Sequence, residues 1–268
     1  MVENNAKSRS MKKIGVLGGL AWPSTAEYYA TICRWSEELH ASTGAEGISP
    51  TPEFCIESLN LAKALSLLGT IGDEGSWARF DAYHRDGLKR LEISGAAFAV
   101  IASNTPHHRF DAITRDLAIP TINIFETVAD RCAALGIEHV LILGTSLTMK
   151  SQVFVKTLAR CGIGAFAPED DEQRSVAVLI RDIQRGNVIG TAKRIGDLAK
   201  AAFARHPSRI PAVCLACTEL PLAFPEERSN PTFEAEGICY INTLAAHARA
   251  AFEAASTDPA YTSHEPYA

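Results

Sequence analysis

The chain has 268 residues, 47% hydrophobic and 21% charged, with a formal net charge of −5 at pH 7. That length can bury a large core in one domain or two lobes, and the balance is that of an ordinary soluble globular protein. The acidic balance, without a basic stripe, excludes the usual footprint of nucleic-acid binding, and no apolar run approaches the ~20 residues of a membrane span.

Residues 1–10 are polar and lack the apolar core of a signal peptide, so residues 1–11 read as a disordered arm. Seven cysteines are scattered rather than framed, which fits free thiols, a reducing compartment and a cytoplasmic location. Residues 12–19 then read as a buried first strand, and Gly18-Gly19 allow a tight turn and close approach of a ligand. Pro23 opens a helix that runs to about Leu39. After a Gly/Pro-rich loop, 53–60 is a second strand, 73–94 a long helix closed by Gly95, and 97–102 a third strand buried on both faces. A helix over 109–117 leads through Pro120 into a strand at 121–124.

The second half restarts the plan. It offers a helix at 127–135, a strand at 139–144, a helix at 151–160 and a strand at 163–167. Helices at 171–184 and 191–205 follow, then strands at 211–216 and 237–242 around the Cys217 turn, and a last helix at 243–255. Alternation of this kind predicts an α/β fold with mainly parallel sheets. Gly144-Thr145 echoes Gly18-Gly19, and Cys214-Leu-Ala-Cys217-Thr-Glu219 echoes Val100-Ile-Ala-Ser103-Asn-Thr105. The repeat predicts two pseudo-symmetric lobes facing each other across a cleft. Lobe 1 would comprise 12–125 plus 225–255, lobe 2 126–224, with a disordered tail from 256 onward.

Both repeated stretches lie at the carboxyl ends of strands, where open α/β sheets bind ligands. Cys217 is the candidate nucleophile or base. A helix beginning near Leu220 would lower its pKa from about 8.5, and the N–H groups of Thr218 and Glu219 could bind a carboxylate. Cys214 and Cys217 form a CxxC, but three residues apart near a strand end they face opposite ways, which favours a core Cys214 and an exposed, functional Cys217 over a redox or zinc pair. Ser103-Asn104-Thr105 reads equally as a helix cap or an anion cradle. Either of the nearby His107 and His108 could orient a catalytic group or simply be capped or solvated. Gly15-x-x-Gly18-Gly19 has the wrong spacing for a dinucleotide fingerprint, and there is no Walker lysine motif.

Ile14-Gly-Val-Leu-Gly-Gly-Leu20, Ser103-Asn-Thr-Pro-His107, Leu143-Gly-Thr-Ser-Leu-Thr-Met149 and Cys217-Thr-Glu-Leu220, in that order, resemble the aspartate/glutamate racemase family, which uses no pyridoxal phosphate. The resemblance covers residue 12 to about residue 255. It implies a two-lobed, dimeric enzyme without cofactor, in which two residues on opposite faces of the substrate remove and return its α-proton. It further implies that Asn104, Thr105 and Thr218 hold carboxylates, that Glu219 sets the state of Cys217, and that Leu20 lines the substrate.

Two departures stand out. The first of the family's two cysteines is Ser103 here, and an alcohol is a poor base near neutrality. Where some members carry a substrate-binding Arg, this chain reads Asn60-Leu-Ala-Lys63, so that Asn60 or Lys63 would have to stand in. The leading expectation is a racemase of an acidic amino acid working through Cys217. A cofactor-free decarboxylase or isomerase of a small dicarboxylate, or a binding relative without turnover, fits the same residues.

Overall fold

The computed structural model describes residues 11–44 and 46–256. Strand β1, Ile14–Gly18, is buried along its whole length. Gly19 turns the chain with φ +80°, and a Cβ there would overlap the backbone of Leu59. Helix α1, Trp22–Ser42, starts with proline in its first turn and buries Ser24, Tyr28, Thr31, Ile32 and Ser36, a helical stripe. Strand β2, Phe54–Ser58, forms the edge. The short helix α2, Leu61–Ser66, is capped by Asn60. The long helix anticipated at 73–94 is divided into a 3-10 turn, Glu74–Trp77, and helix α3, Ala78–Ile93. Strand β3, Phe98–Ile101, is fully buried, as its unbroken apolar run requires. Helix α4, Phe110–Thr114, is shorter than anticipated because Arg115 is extended and Asp116 takes φ +62°, while Arg109 closes a 3-10 turn, Thr105–Arg109. Strand β4 is only Thr121–Ile122, since Asn123 caps helix α5, Ile124–Ala134.

The second half contributes β5 His139–Gly144, α6 Ser146–Met149, α7 Gln152–Arg160, β6 Gly164–Phe166, α8 Asp170–Gln184, α9 Thr191–Arg205, β7 Ala212–Ala216, β8 Thr232–Ala235, β9 Ile238–Asn242 and α10 Thr243–Ala255. The strands form two sheets, ordered β2-β1-β3-β4 and β6-β5-β7-β9-β8. Every pairing is parallel except that of β8 with β9. Without the antiparallel edge strand, the two sheets have the same order. The fold is α/β with two lobes, each a sheet between helices.

The lobes do not keep their own helices. Helix α5 follows β4 of the first sheet, yet Ile124, Phe125 and Val128 pack in the core of the second. Helix α10 follows β9 of the second sheet, yet Leu244, Ala248 and Phe252 pack in the core of the first. The chain therefore crosses between lobes at Asn123 and again at Asn242. The first crossing falls close to the anticipated boundary at 125. The second corrects the anticipated return at 225: β8 and β9 belong to the second sheet, because Ile238, Tyr240 and Ile241 complete its cores. Of the anticipated disordered ends, Met11 packs against the first core and Ser256 is buried. Residues 1–10 and 257–268 lie outside the described residues.

The crossings are pinned by hydrogen bonds. Asn123 Oδ1 accepts the Phe125 N–H at 2.9 Å, and Asn242 Oδ1 accepts the Ala245 N–H at 3.2 Å. His247 of α10 donates from Nε2 to the Ile122 carbonyl at 3.0 Å, beside the first crossing, and its Nδ1 accepts the Tyr28 hydroxyl at 2.7 Å. Burial holds His247 neutral, its pKa lowered from 6.5 to about 4.

That shift sets an acid limit. Between pH 6.5 and 4 the unfolded chain protonates this imidazole and the native one does not, so stability falls as pH falls through that window. We expect denaturant unfolding to show a loss on the order of 3 kcal/mol from this group. His247→Gln should be less stable at pH 7 but flatten the pH slope by about one proton. An unchanged slope would mean that another group carries the acid sensitivity.

Candidate active site

The switch point of each sheet lies between its two central strands, β1 with β3 and β5 with β7. Ser103 follows β3 and Cys217 follows β7, so the structure places both at equivalent strand ends. Each leads into a 3-10 turn with a proline near its start, Pro106 in one and Pro221 in the other. Gly144, at the end of β5, lies so close to β7 that a Cβ would come 2.7 Å from the Ala216 carbonyl oxygen. Gly144 pairs with Ala216 in the ladder, so the two strand ends lie in direct contact just before Cys217.

Cys217 is buried, with 7% of its surface exposed, which corrects the expectation of an exposed thiol. Its Sγ donates to Glu219 Oε2 at 2.9 Å, and Thr218 Oγ1 donates to the same oxygen at 3.3 Å. The other oxygen, Oε1, accepts the Gln184 side-chain N–H at 3.1 Å. Burial pushes the thiol well above its ordinary pKa, and the charge of Glu219 and the bond to its carboxylate push it further. This overturns the expected low pKa. The element after Cys217 is a four-residue 3-10 turn, Leu220–Ala223, with too few aligned peptides to offset burial and an adjacent anion. The Cys217 thiol therefore keeps its proton and points it at the Glu219 carboxylate. Cys214 is fully buried in the core on the opposite sheet face from Cys217. The CxxC therefore does not converge on one point.

Ser103 is half-buried, and its carbonyl accepts a hydrogen bond from His107 Nδ1 at 2.8 Å. His107 is fully enclosed and held neutral by burial and by the neighbouring His247. It orients the backbone of the Ser103 turn. His108 instead reaches across to the second lobe. Its Nδ1 lies 2.5 Å from Ser151 Oγ, its Nε2 lies 3.5 Å from Thr148 Oγ1, and burial lowers its pKa to about 4. Ser151 Oγ already accepts the Phe154 N–H, so its own O–H is free to donate to the imidazole.

Asn104 is buried and donates through Nδ2 to Thr243 Oγ1 at 3.1 Å, and Thr243 donates to the Leu215 carbonyl at 3.0 Å. This relay ties the Ser103 turn to strand β7 two residues before Cys217. Asn104 Oδ1 is buried without a partner among the described residues. Thr105 is half-buried at the start of its 3-10 turn, and Leu20 is buried against the first lobe's core. Asn60 is exposed, and its side chain accepts the Lys63 N–H at 2.9 Å as the cap of α2. Lys63 Nζ lies 4.5 Å over the Tyr83 ring. Both candidate replacements for the missing Arg thus already serve the local structure of α2.

The sequence reading missed Gln184, Ser151, Thr243 and the interlobe role of His108. None has a local signature, since each acts through a partner 28 to 139 positions away. A signal for the crossings was present, because Ile122-Asn123 and Ile241-Asn242 are a second internal repeat.

The sequence matches the family model described as Asp/Glu/Hydantoin racemase over residues 17–251. The chain belongs to the Asp/Glu/hydantoin racemase family. It is 26% identical over 217 residues to the broad specificity amino-acid racemase RacX of Bacillus subtilis (strain 168), spanning 77% of this chain and 85% of that protein. Among solved structures it is similar to an aspartate racemase homologue from Pyrococcus horikoshii OT3, with 27% identity, a TM-score of 0.72 and coverage of 92% of this chain and 100% of that one. The aspartate racemase of Picrophilus torridus shares the fold at 20% identity and a TM-score of 0.66, over 94% and 98% of the two chains. No helix among the described residues is long and apolar enough to cross a membrane.

For this family member the thiol–carboxylate pair gives a direct test. Glu219→Gln removes the charge that holds the thiol proton, so iodoacetamide should alkylate Cys217 at lower pH than in the parent, read by mass spectrometry against exposed Cys161. Turnover should fall at the same time. An alkylation profile that stays in place would show that burial alone sets the thiol.

Proposed function

We propose that the protein is a cofactor-independent racemase of an acidic amino acid, aspartate or glutamate, with Cys217 as its main acid–base group and Ser103 opposite. The observation that carries this reading is the Cys217 thiol bonded at 2.9 Å to Glu219, at the strand end equivalent to that of Ser103. A buried thiol beside a carboxylate can lose its proton to that carboxylate without moving net charge into the core. The thiolate then removes the α-hydrogen of a substrate held in the cleft. The resulting planar carbanion must take its proton from the far side to invert. Ser103 faces that side and delivers a proton more readily than it removes one, because the pKa of an alcohol lies far above that of a thiol. Asn104, Thr105 and Thr218 supply donors for the carboxylates, and Leu20 an apolar wall. The same reading carries a homodimer and a reducing, cytoplasmic setting.

The two directions should be unequal in rate, while the equilibrium between enantiomers stays at unity. Isotope exchange in deuterated water, followed with chirality for both enantiomers of aspartate and glutamate, is the deciding measurement. We expect faster exchange from the enantiomer whose α-hydrogen faces Cys217. Ser103→Ala should keep that exchange and suppress inversion, and Ser103→Cys should speed the slow direction. Release of carbon dioxide instead of exchange would establish the decarboxylase reading. Unimpaired racemisation by Ser103→Ala would remove Ser103 from the proton path. Cys217→Ala should abolish turnover with the fold intact, whereas Cys214→Ala should cost on the order of 1–2 kcal/mol of stability and spare activity.

A further inference from the structure

Glu219 has two oxygens and three donors around it. Cys217 and Thr218 approach Oε2, and among the described residues only Gln184 donates to Oε1. Gln184 is the last residue of α8, an element that packs against the 3-10 turn following Glu219. The Cys217 and Thr218 bonds are local, reaching from one and two residues away, and they leave the carboxylate free to turn about its last torsion. A terminal sp³–sp² torsion of this kind has a broad, weakly held well. A donor on Oε1 from a separate helix fixes the plane of the group.

We propose that Gln184 is a positioning residue of the acid–base centre, holding the Glu219 carboxylate so that Oε2 faces the Cys217 thiol. It rests on the reading of Cys217 as the group that moves the proton. An uncharged amide is suited to the task. It donates to the carboxylate without adding a cation, so it orients Glu219 and leaves the charge of the pair unchanged. The bond lies toward the solvent-exposed side of α8, where water can partly take the place of a lost donor, so the expected effects are moderate.

Gln184→Met, close in length and shape but without a donor, tests this in the full-length protein. We expect the α-proton exchange rate at saturating substrate to fall about three- to tenfold, the worth of one such hydrogen bond, with KM within about twofold of the parent. Alkylation of Cys217 by iodoacetamide should rise by about threefold, because a thiol without a well-aimed acceptor ionises more readily. In a Glu219→Gln background, Gln184→Met should leave Cys217 alkylation unchanged, since the group that it positions has lost its charge. Parent-like exchange and alkylation in Gln184→Met, or an equal rise in alkylation in both backgrounds, overturns the proposal. Alkylation coupling that persists in a protein with no exchange on any amino acid would leave the positioning role standing and sink the racemase reading. Exchange without coupling would do the reverse.

Discussion

The arrangement of this molecule depends on two strand-to-helix crossings, at Asn123 and Asn242. Each lobe hands its last helix to the other, so neither sheet has a complete core without its neighbour's chain. The exchange is a packing constraint, since removing α10 would leave one face of the first sheet open and removing α5 would do the same to the second. Burying a helix face of this kind is worth several kcal/mol, far more than any surface ion pair. The lobes are therefore coupled by hydrophobic burial, and the polar contacts across the junction adjust the register. His247 against Ile122, Thr243 against Leu215 and Asn104 against Thr243 all lie within a few residues of a crossing. A fourth contact, between Glu27 of α1 and Arg228 at 2.6 Å, joins the same junction through Asn242, whose side chain donates to the Arg228 carbonyl. Strand ends separated by more than a hundred residues are in this way held in fixed relation.

The same burial decides the chemistry. A low-dielectric junction penalises every charge, and the groups around the two turns respond alike: His107, His108 and His247 are neutral, and Cys217 keeps its proton. Glu219 is the exception. It is only partly buried and accepts hydrogen bonds at both oxygens. Its Oε2 receives both the Cys217 thiol and the Thr218 hydroxyl.

Much of this was legible in the sequence. The apolar runs at β3, β5 and β7 gave strands because nothing polar interrupts them, and the Ser103/Cys217 echo gave the equivalence of two strand ends. Helices α9 and α10 have the anticipated bounds, since Gly190 and Asn242 mark their starts. What failed did so for identifiable reasons. The second crossing was placed at 225 because β8 is short and its partner, β9, reads the same whichever sheet it joins. The thiol was expected to be exposed and acidic because a polar Thr-Glu continuation suggests an open helix start. In three dimensions Glu219 folds back onto Cys217 and the turn is a single 3-10 element, so the signal for a helix N-terminus was a signal for a carboxylate partner. The place of Asn60 after β2 carries a second signal, for its side chain caps α2, and a short helix depends on such a cap.

The pseudo-symmetry ends where the chemistry begins. Both lobes supply a strand end, a 3-10 turn and a proline, so the backbone at the two positions is equivalent. The side chains differ in kind. On the second lobe the turn carries a thiol and a carboxylate, which can pass a proton without building net charge. On the first it carries an alcohol and an amide, backed by a histidine whose Nδ1 is committed to the Ser103 carbonyl. That histidine cannot serve Ser103 as a triad base would, because its bond goes to the backbone and not to the hydroxyl. The fold supplies symmetry of position at the two strand ends, and the residues that follow them supply the difference in kind.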